Sequence, residues 1–266
     1  MSDLTTALAA GRERARAHAA EREVHAAARA ARGQVRRSAT ELEAVARDAS
    51  LRFADETDAS VVLRWAAAEF GDLLAVACSM ADTVLPHVVA EHSPWVDVLF
   101  LDTGYHFPET LGTRDASALT LRATIVDVRP ELSVAEQDAA YGARLHDRDP
   151  ATCCRLRKVE PLARALGGYE AWVTGVRRDE GPTRAGTPLV SWDAKNGLVK
   201  INPLAAWSFD EVLAYASAHQ LPANPLLADG YPSIGCAPCT SRVAPGADPR
   251  SGRWAGLDKT ECGLHT

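Results

Sequence analysis

No stretch of this 266-residue chain approaches the roughly 20 consecutive apolar residues of a membrane-spanning helix. Residues 1–20 lack the apolar segment of a secretory leader. Both absences point to a cytoplasmic protein with no membrane partner. Basic charge is not in excess: 29 Lys and Arg stand against 35 Asp and Glu, a formal net charge of −6. A broad nucleic-acid surface is therefore not expected, although a local basic pocket is compatible with that balance. No internal repeat is visible. Residues 1–49 have almost no aromatic or large β-branched residues. Their helix propensity is high, but an apolar face made mostly of alanine is expected to bury little. They read as a poorly ordered or loosely docked helical extension. Its use is either that of a dispensable leader or that of an arm for homo-oligomerisation.

The rest of the chain has the material of a globular core, with 47% hydrophobic residues overall. Four short apolar runs read as buried strands: DLLAVAC (72–78), WVDVLFLD (95–102), ATIVDVRP (123–130) and EAWVTGV (170–176). Helical patterns separate them, among them ASVVLRWAAAEF (59–70) and a run from Asp149 to a stop at Gly167-Gly168. Strands alternating with helices predict an α/β fold, a parallel twisted sheet flanked by helices. Ligands of such sheets bind at the carboxyl ends of strands where the strand order reverses. Cys78-Ser79, Leu101 to Gly104 and Thr174-Gly175 all fall at strand ends and are expected to share one rim. Residues 189–204 suit a hairpin or edge pair. SFDEVLAYASAHQ (208–220) is a helix with Ser208 as N-cap and Glu211 in the capping-box position. Beyond Leu221 the chain is mostly Pro, Gly and small polar residues and cannot carry a core of its own. It nevertheless holds three cysteines and the arginines Arg242, Arg250 and Arg253, which suits a lid or an active-site arm.

The six cysteines fall into a pattern. Cys153 and Cys154 are adjacent on a predicted helix, and Cys236 and Cys239 form a C-x-x-C loop. In a reducing compartment, clustered cysteines more often hold metal or do chemistry than form disulfides. Four thiolates suit either a [4Fe–4S] cluster or a structural zinc. Adjacent residues on a helix point about 100° apart, which suits a wide cubane better than a compact tetrahedron. A redox pair at 236 and 239 fits less well, since that motif opens a helix and Pro238 argues for a loop. Cys78 ends a buried strand and reads as a core residue. Cys262 stands apart, four residues from the last. Lys259, His265, Arg250 and Arg253 lie near it in sequence and would bring positive charge to a thiolate or to an anionic ligand.

CCRLRKVEPL, YPSIGCAPCT, DPRSGRW and KTECGLH, in this order, resemble the assimilatory adenylyl-sulfate (APS) reductases of bacteria, within the PAPS/APS reductase family. FLDTGYHFPET, AWVTGVRRDEGPTRA and VKINPLAAW match as well, so the resemblance spans roughly residues 60–266. It implies an adenine-nucleotide α-hydrolase-like (PP-loop) fold. It implies reduction of adenosine 5′-phosphosulfate to sulfite and AMP, with thioredoxin as electron donor. The cysteine of the E-C-G-L-H tail, here Cys262, would attack sulfur and become an S-sulfocysteine. Cys153, Cys154, Cys236 and Cys239 would ligate a [4Fe–4S] cluster that supplies no electrons itself. Lys158, Arg184, Arg250, Arg253 and His265 would neutralise the anionic substrate. Lys158 follows Cys154 by four residues and so shares its helix face. Adenine would rest on Leu101 and Gly175, with Asp102 either facing the ribose or capping a turn. ATP-hydrolysing relatives carry a glycine-rich loop where this chain has SMAD (79–82). The missing glycines argue against a pyrophosphatase, while Ser79 remains able to hold sulfate. The expected organisation is an extension at 1–49, a nucleotide-binding α/β core at 50–221, and a cluster loop with a flexible C-terminal catalytic arm at 222–266. A reductase of the 3′-phosphorylated nucleotide and a non-catalytic Fe–S or zinc redox sensor are the alternative readings. The sensor has no need of Cys262.

Overall fold

The apolar runs form strands, each a residue or more shorter than its run. The computed structural model describes residues 2–257, 259 and 261–264, with side chains outside 2–11, 14 and 32. Helices α1 (Ser2–Arg32), α2 (Ala39–Arg52) and α3 (Ala59–Phe70) precede strand β1 (Leu74–Ala77). There follow α4 (Val84–Ala90), β2 (Val96–Leu101), α5 (Pro108–Thr120) and β3 (Ala123–Val128). After α6 (Val134–Tyr141) and α7 (Leu145–Arg148) come α8 (Pro150–Cys154), a π-helical turn (Arg155–Val159), α9 (Glu160–Leu166) and β4 (Ala171–Thr174). β5 (Val190–Asp193), β6 (Leu198–Ile201) and α10 (Phe209–Ala218) complete the body. No helix among the described residues is long and apolar enough to cross a membrane.

The strands pair in the order β3-β2-β1-β4-β6-β5. All neighbours run parallel except β5, which closes the edge antiparallel to β6 as the expected hairpin. Both faces are covered, which is why the central strands read as continuous apolar runs rather than alternating ones. Val76, Val98, Phe100 and Val173 pack into one core with α2, α3 and α4. Ala75, Leu99 and Trp172 pack on the opposite face with Leu162 and Leu166 of α9. β1 has β2 on one side and β4 on the other, so the order reverses there. That reversal opens a crevice at the strands' carboxyl ends.

The expectation for the amino-terminal extension is corrected by α2. Leu42, Ala46 and Ala49 are 0%, 1% and 3% exposed and belong to the main core. Alanine buries little area per residue, but its small side chain lets α2 lie close against β5 and β6. A boundary at 49/50 would cut through this helix. Ser38 caps it with a full capping box to Glu41. Just before the cap, Arg37 grips the buried Glu170 carboxylate through its backbone N at 2.5 Å, Nε at 3.0 Å and Nη2 at 2.7 Å. α1 is tied down as well: Arg29 pairs with Asp97 of β2 and donates to the Asp72 carbonyl at 2.8 Å. Leu42→Ala is therefore expected to lower stability by about 2–5 kcal/mol, the usual cost of emptying a filled core site. Urea denaturation of the full chain checks this. A dispensable leader would leave the midpoint unmoved.

Two helical expectations hold with a refinement. Ser208 and Glu211 form a reciprocal capping box on α10. Asp149 caps α8, its Oδ1 accepting from the Thr152 amide at 2.9 Å. The run that follows is not one uniform helix, because the π turn widens it at Arg155–Val159. Such turns recur where a helix presents functional side chains. Here the residues turned inward are Cys153, Cys154, Arg157 and Lys158.

The described part of the tail from residue 222 packs against the body, with Leu264 against the cluster of Leu162 and Trp172. Ile234, Cys236 and Trp254 are 5%, 6% and 2% exposed. The Ala237 amide donates to the Tyr105 carbonyl at 2.7 Å, the Ser241 amide to Gly252 at 2.9 Å, and the Trp254 amide to Cys239 at 3.0 Å. The segment thus folds back on itself beside the strand ends. A Cβ on Gly252 would sit 2.2 Å from the Ser241 carbonyl oxygen, so only glycine permits that return.

Candidate active site

A cavity of about 240 Å³ lies at the predicted rim. The ends of β1, β2 and β4 form its floor through Ala77 to Ser79, Leu101 and Thr174-Gly175. Lys158 enters from the π turn, Arg184 from the loop after β4, and Arg250, Arg253, Trp254 and Cys262 from the tail. The sequence-predicted Ser79, Leu101, Gly175, Lys158, Arg184, Arg250, Arg253 and Cys262 are all brought together here. Trp254 is buried in the cavity wall. His265 lies outside the described residues. Asp102 does not line the cavity: its Oδ1 accepts from the Gly104 amide at 3.2 Å, and Oδ2 lies 3.4 Å from Arg129 Nε. It caps the turn after β2, the simpler of its two expected roles.

Cys153, Cys154, Cys236 and Cys239 surround a second, smaller cavity with Tyr105, His146 and Arg157. Lys158 and Cys236 line both cavities and form the wall between them. All four thiols are free, and three are buried. Among the described residues, no three His, Cys, Asp or Glu side chains converge as they would around a single metal ion. Desolvation, reinforced by the neighbouring thiols, pushes Cys153 up to about 12 and Cys239 up to about 11. Four thiols crowded so closely are costly to ionise together unless a cation compensates. Thr103 Oγ1 sits 3.3 Å from Cys236 Sγ. The buried Arg157 holds the same β2 turn by donating to the Thr103 carbonyl and, at 3.0 Å, to Gln137 Oε1. The chemistry of this donor set suits a thiophilic metal group.

Lys158 is 8% exposed. Desolvation would lower its ammonium, but the Cys236, Cys154 and Cys262 thiols reverse the sign and hold it above its ordinary value. It remains a cation at neutral pH. On the tail, Arg253 stacks 4.8 Å over the Trp254 ring, and its Nη1 donates to Ser233 Oγ at 3.3 Å. Arg253 Nε, Trp254 Nε1 and His106 Nδ1 are buried without a hydrogen-bond partner, and all three residues line the cavity. Two open donors, Arg253 Nε and Trp254 Nε1, and one open acceptor, His106 Nδ1, at a cavity wall mark where a polar ligand would sit.

Cys78 also lines the cavity but is no nucleophile. Desolvation and the Asp82 charge push its thiol up to about 12. Alkylation with iodoacetamide at pH 8 is expected to modify Cys262 and to spare Cys78, as peptide mapping would read. Sequence reasoning missed His106, whose Nε2 donates to the Leu101 carbonyl at 2.8 Å and fixes the end of β2. The histidine inside GYHFPET was the available signal. Glu261 was missed too. Its carboxylate accepts from Arg184 Nε at 3.0 Å, Arg184 Nη2 at 2.9 Å and Arg250 Nη2 at 3.2 Å. Its position beside Cys262 was the only signal available.

A family model described as the phosphoadenosine phosphosulfate reductase domain matches residues 73–242. The chain is 56% identical over 232 residues to an adenosine 5′-phosphosulfate reductase of Streptomyces coelicolor, covering 87% of this chain and 98% of that one. It is 57% identical over 225 residues to the enzyme so named in Mycolicibacterium smegmatis, covering 85% and 95%. Among solved structures, the phosphoadenylyl-sulfate reductase of Candida auris in a phosphate complex superposes with a TM-score of 0.61 at 28% identity, over 79% of this chain and 100% of that one. A Candida glabrata FMN adenylyltransferase with FAD and pyrophosphate gives 0.50 at 10% identity, over 77% and 73%, a likeness of fold alone.

Proposed function

Since this chain belongs to the phosphoadenosine phosphosulfate reductase family, we propose that it reduces adenosine 5′-phosphosulfate to sulfite and AMP in sulfate assimilation. The observation that carries the reading is the meeting of Cys262 with Lys158, Arg250 and Arg253 in one cavity at the strand ends. A thiolate attacking a sulfate group approaches an anion with an anion. Fixed cations, poised where charge develops, lower that barrier. The Cys262 sulfur attacks the sulfate sulfur, the bond from sulfur to the bridging oxygen breaks, and AMP leaves with that oxygen. The enzyme is left with an S-sulfocysteine. A dithiol protein of the thioredoxin class then attacks Cys262 Sγ, releasing sulfite and forming a mixed disulfide. Its second thiol resolves that bond, so the dithiol supplies both electrons. Nucleotide rests on the backbone at Leu101 and Gly175, with Ser79 and the amides of the SMAD loop near the sulfate. Lys158, Arg250, Arg253 and His265 carry the countercharge.

Cys153, Cys154, Cys236 and Cys239 would hold a [4Fe–4S] cluster, whose thiolate ligation the crowded donor set favours. When bound, it would supply a fixed charge near Lys158 and would tie α8 to the C-x-x-C loop. Residues of the chain perform every step of the transfer. The test is mass spectrometry after incubation with adenosine 5′-phosphosulfate and no dithiol. A gain of about 80 Da on the Cys262 peptide is expected of the covalent step. No adduct, or one on another cysteine, contradicts it.

A further inference from the structure

Arg184 is one of the cations that the resemblance assigns to the substrate, yet its guanidinium is already occupied. Nε and Nη2 form a two-point fork on the Glu261 carboxylate at 3.0 and 2.9 Å. Nη1 donates to Glu180 Oε2 at 2.6 Å. The Arg184 and Glu261 side chains are 11% and 15% exposed, so the pair is largely withdrawn from water. Desolvation would lower the guanidinium and raise the carboxyl. The pair reverses both: Arg184 is held above its ordinary value and Glu261 below. Thr183 Oγ1, at 3.4 Å, and Arg250 Nη2, at 3.2 Å, complete the grip on the carboxylate.

The other side of Cys262 is held as well. Lys195 Nζ, in the turn between β5 and β6, donates to the Gly263 carbonyl at 3.0 Å. Leu264 packs against the cluster that contains Leu162 and Trp172. The residues on either side of the cysteine are thus pinned to separate parts of the body. A bidentate Arg–carboxylate pair fixes orientation as well as distance. A nucleophile near a chain end needs both, because small misplacements of reacting atoms are expensive in rate.

We infer that Arg184 is a positioning residue, acting through Glu261 to seat Cys262 over the cavity rather than on the substrate itself. The inference rests on the reading of Cys262 as nucleophile and deepens it. Glu261 becomes the arm's clasp and Thr183-Arg184 its receptor. Substrate charge is then met by Lys158, Arg250 and Arg253.

The test uses the full-length, cluster-loaded protein and three readouts. Arg184→Gln and Glu261→Gln are each expected to slow single-turnover adduct formation about 10- to 100-fold, in keeping with the cost of a loosened nucleophile. The double variant should be no slower than the slower single one, since both remove the same contact. Glu261→Asp, keeping the charge, should recover part of the rate. In a Cys262→Ser background, the affinity for adenosine 5′-phosphosulfate should change less than about twofold with Arg184→Gln, the result expected if that side chain does not meet the ligand. Affinity lost with Arg184→Gln would overturn the inference, because Arg184 would then face the substrate anion. Additive slowing in the double variant would overturn it too. The third readout is protection of residues 250–266 from proteolysis without nucleotide. Both variants should lose it equally, and unchanged protection counts against the clasp. If the wild type forms no adduct, the functional reading fails while this readout still decides the clasp.

Discussion

Cys262→Ser is expected to eliminate the covalent adduct and to lower sulfite release by at least about 10⁴-fold, the scale seen when a nucleophile is removed. The other thiols are poorly placed to substitute for it. Desolvation raises Cys78, Cys153, Cys154 and Cys239 above the ordinary thiol range, which leaves little thiolate on any of them. Cys236 borders the cavity but is 6% exposed, with its sulfur against Thr103 Oγ1. Cys262 is partly exposed, and it borders the cavity shared with Lys158, Arg250 and Arg253. A serine hydroxyl there is close in size but is ionised far less at neutral pH. Folding should be unaffected, because the arm's contacts run through Glu261, Gly263 and Leu264. Sulfite release at saturating substrate and dithiol, compared with thermal melting, checks both halves. Turnover within tenfold of wild type would remove Cys262 from the chemistry.

Legibility in the sequence followed the physical range of each interaction. The strands were readable because a parallel sheet covered on both faces needs uninterrupted apolar runs, as in VDVLFL of β2. Their ends, and with them Ser79, Leu101 and Gly175 at the cavity, followed from topology. The Ser208–Glu211 cap is a contact between residues three apart, so it too could be read. The role of α2 could not. Its alanines look uninformative until a sheet edge is placed against them, and that edge is built from residues 190–201. Arg37 and Glu170 are equally silent in sequence, although their pairing at 2.5–3.0 Å anchors the start of α2. The same holds in the site. The pattern of cysteines announced a thiol-lined chamber, because ligand spacing is local. The pairing of Arg184 with Glu261 spans 77 residues and appears only in the folded chain. For Asp102 the sequence allowed two roles, ribose contact or turn cap, and its Oδ1 accepts from the amide two residues on, a contact short enough in sequence to be read.

The largest remaining effect should come from Lys158. Among the described residues it is the one cation that borders both cavities, at 8% exposure. A charge so withdrawn from water acts across a low local dielectric and is worth far more than a surface lysine. Lys158→Met, close in length and volume, should lower the rate of adduct formation about 10²- to 10³-fold, the scale of losing a preorganised donor to developing charge. Affinity for substrate should fall much less, since Arg250 and Arg253 still meet the ground-state anion. Stability sets the two halves of the environment against each other. Methionine relieves the desolvation that opposes the ammonium, but it abandons the surrounding thiols of Cys236, Cys154 and Cys262 to one another. With thiols protonated, the first effect dominates and the chain should stay folded. With four thiolates bound to a cluster, the second dominates, and the cluster should become easier to bleach with a chelator. Stopped adduct formation, with colour and melting followed on the same sample, separates these effects. A variant that transfers the sulfo group at the wild-type rate would confine Lys158 to the thiol chamber and leave the chemistry to the arginines of the arm.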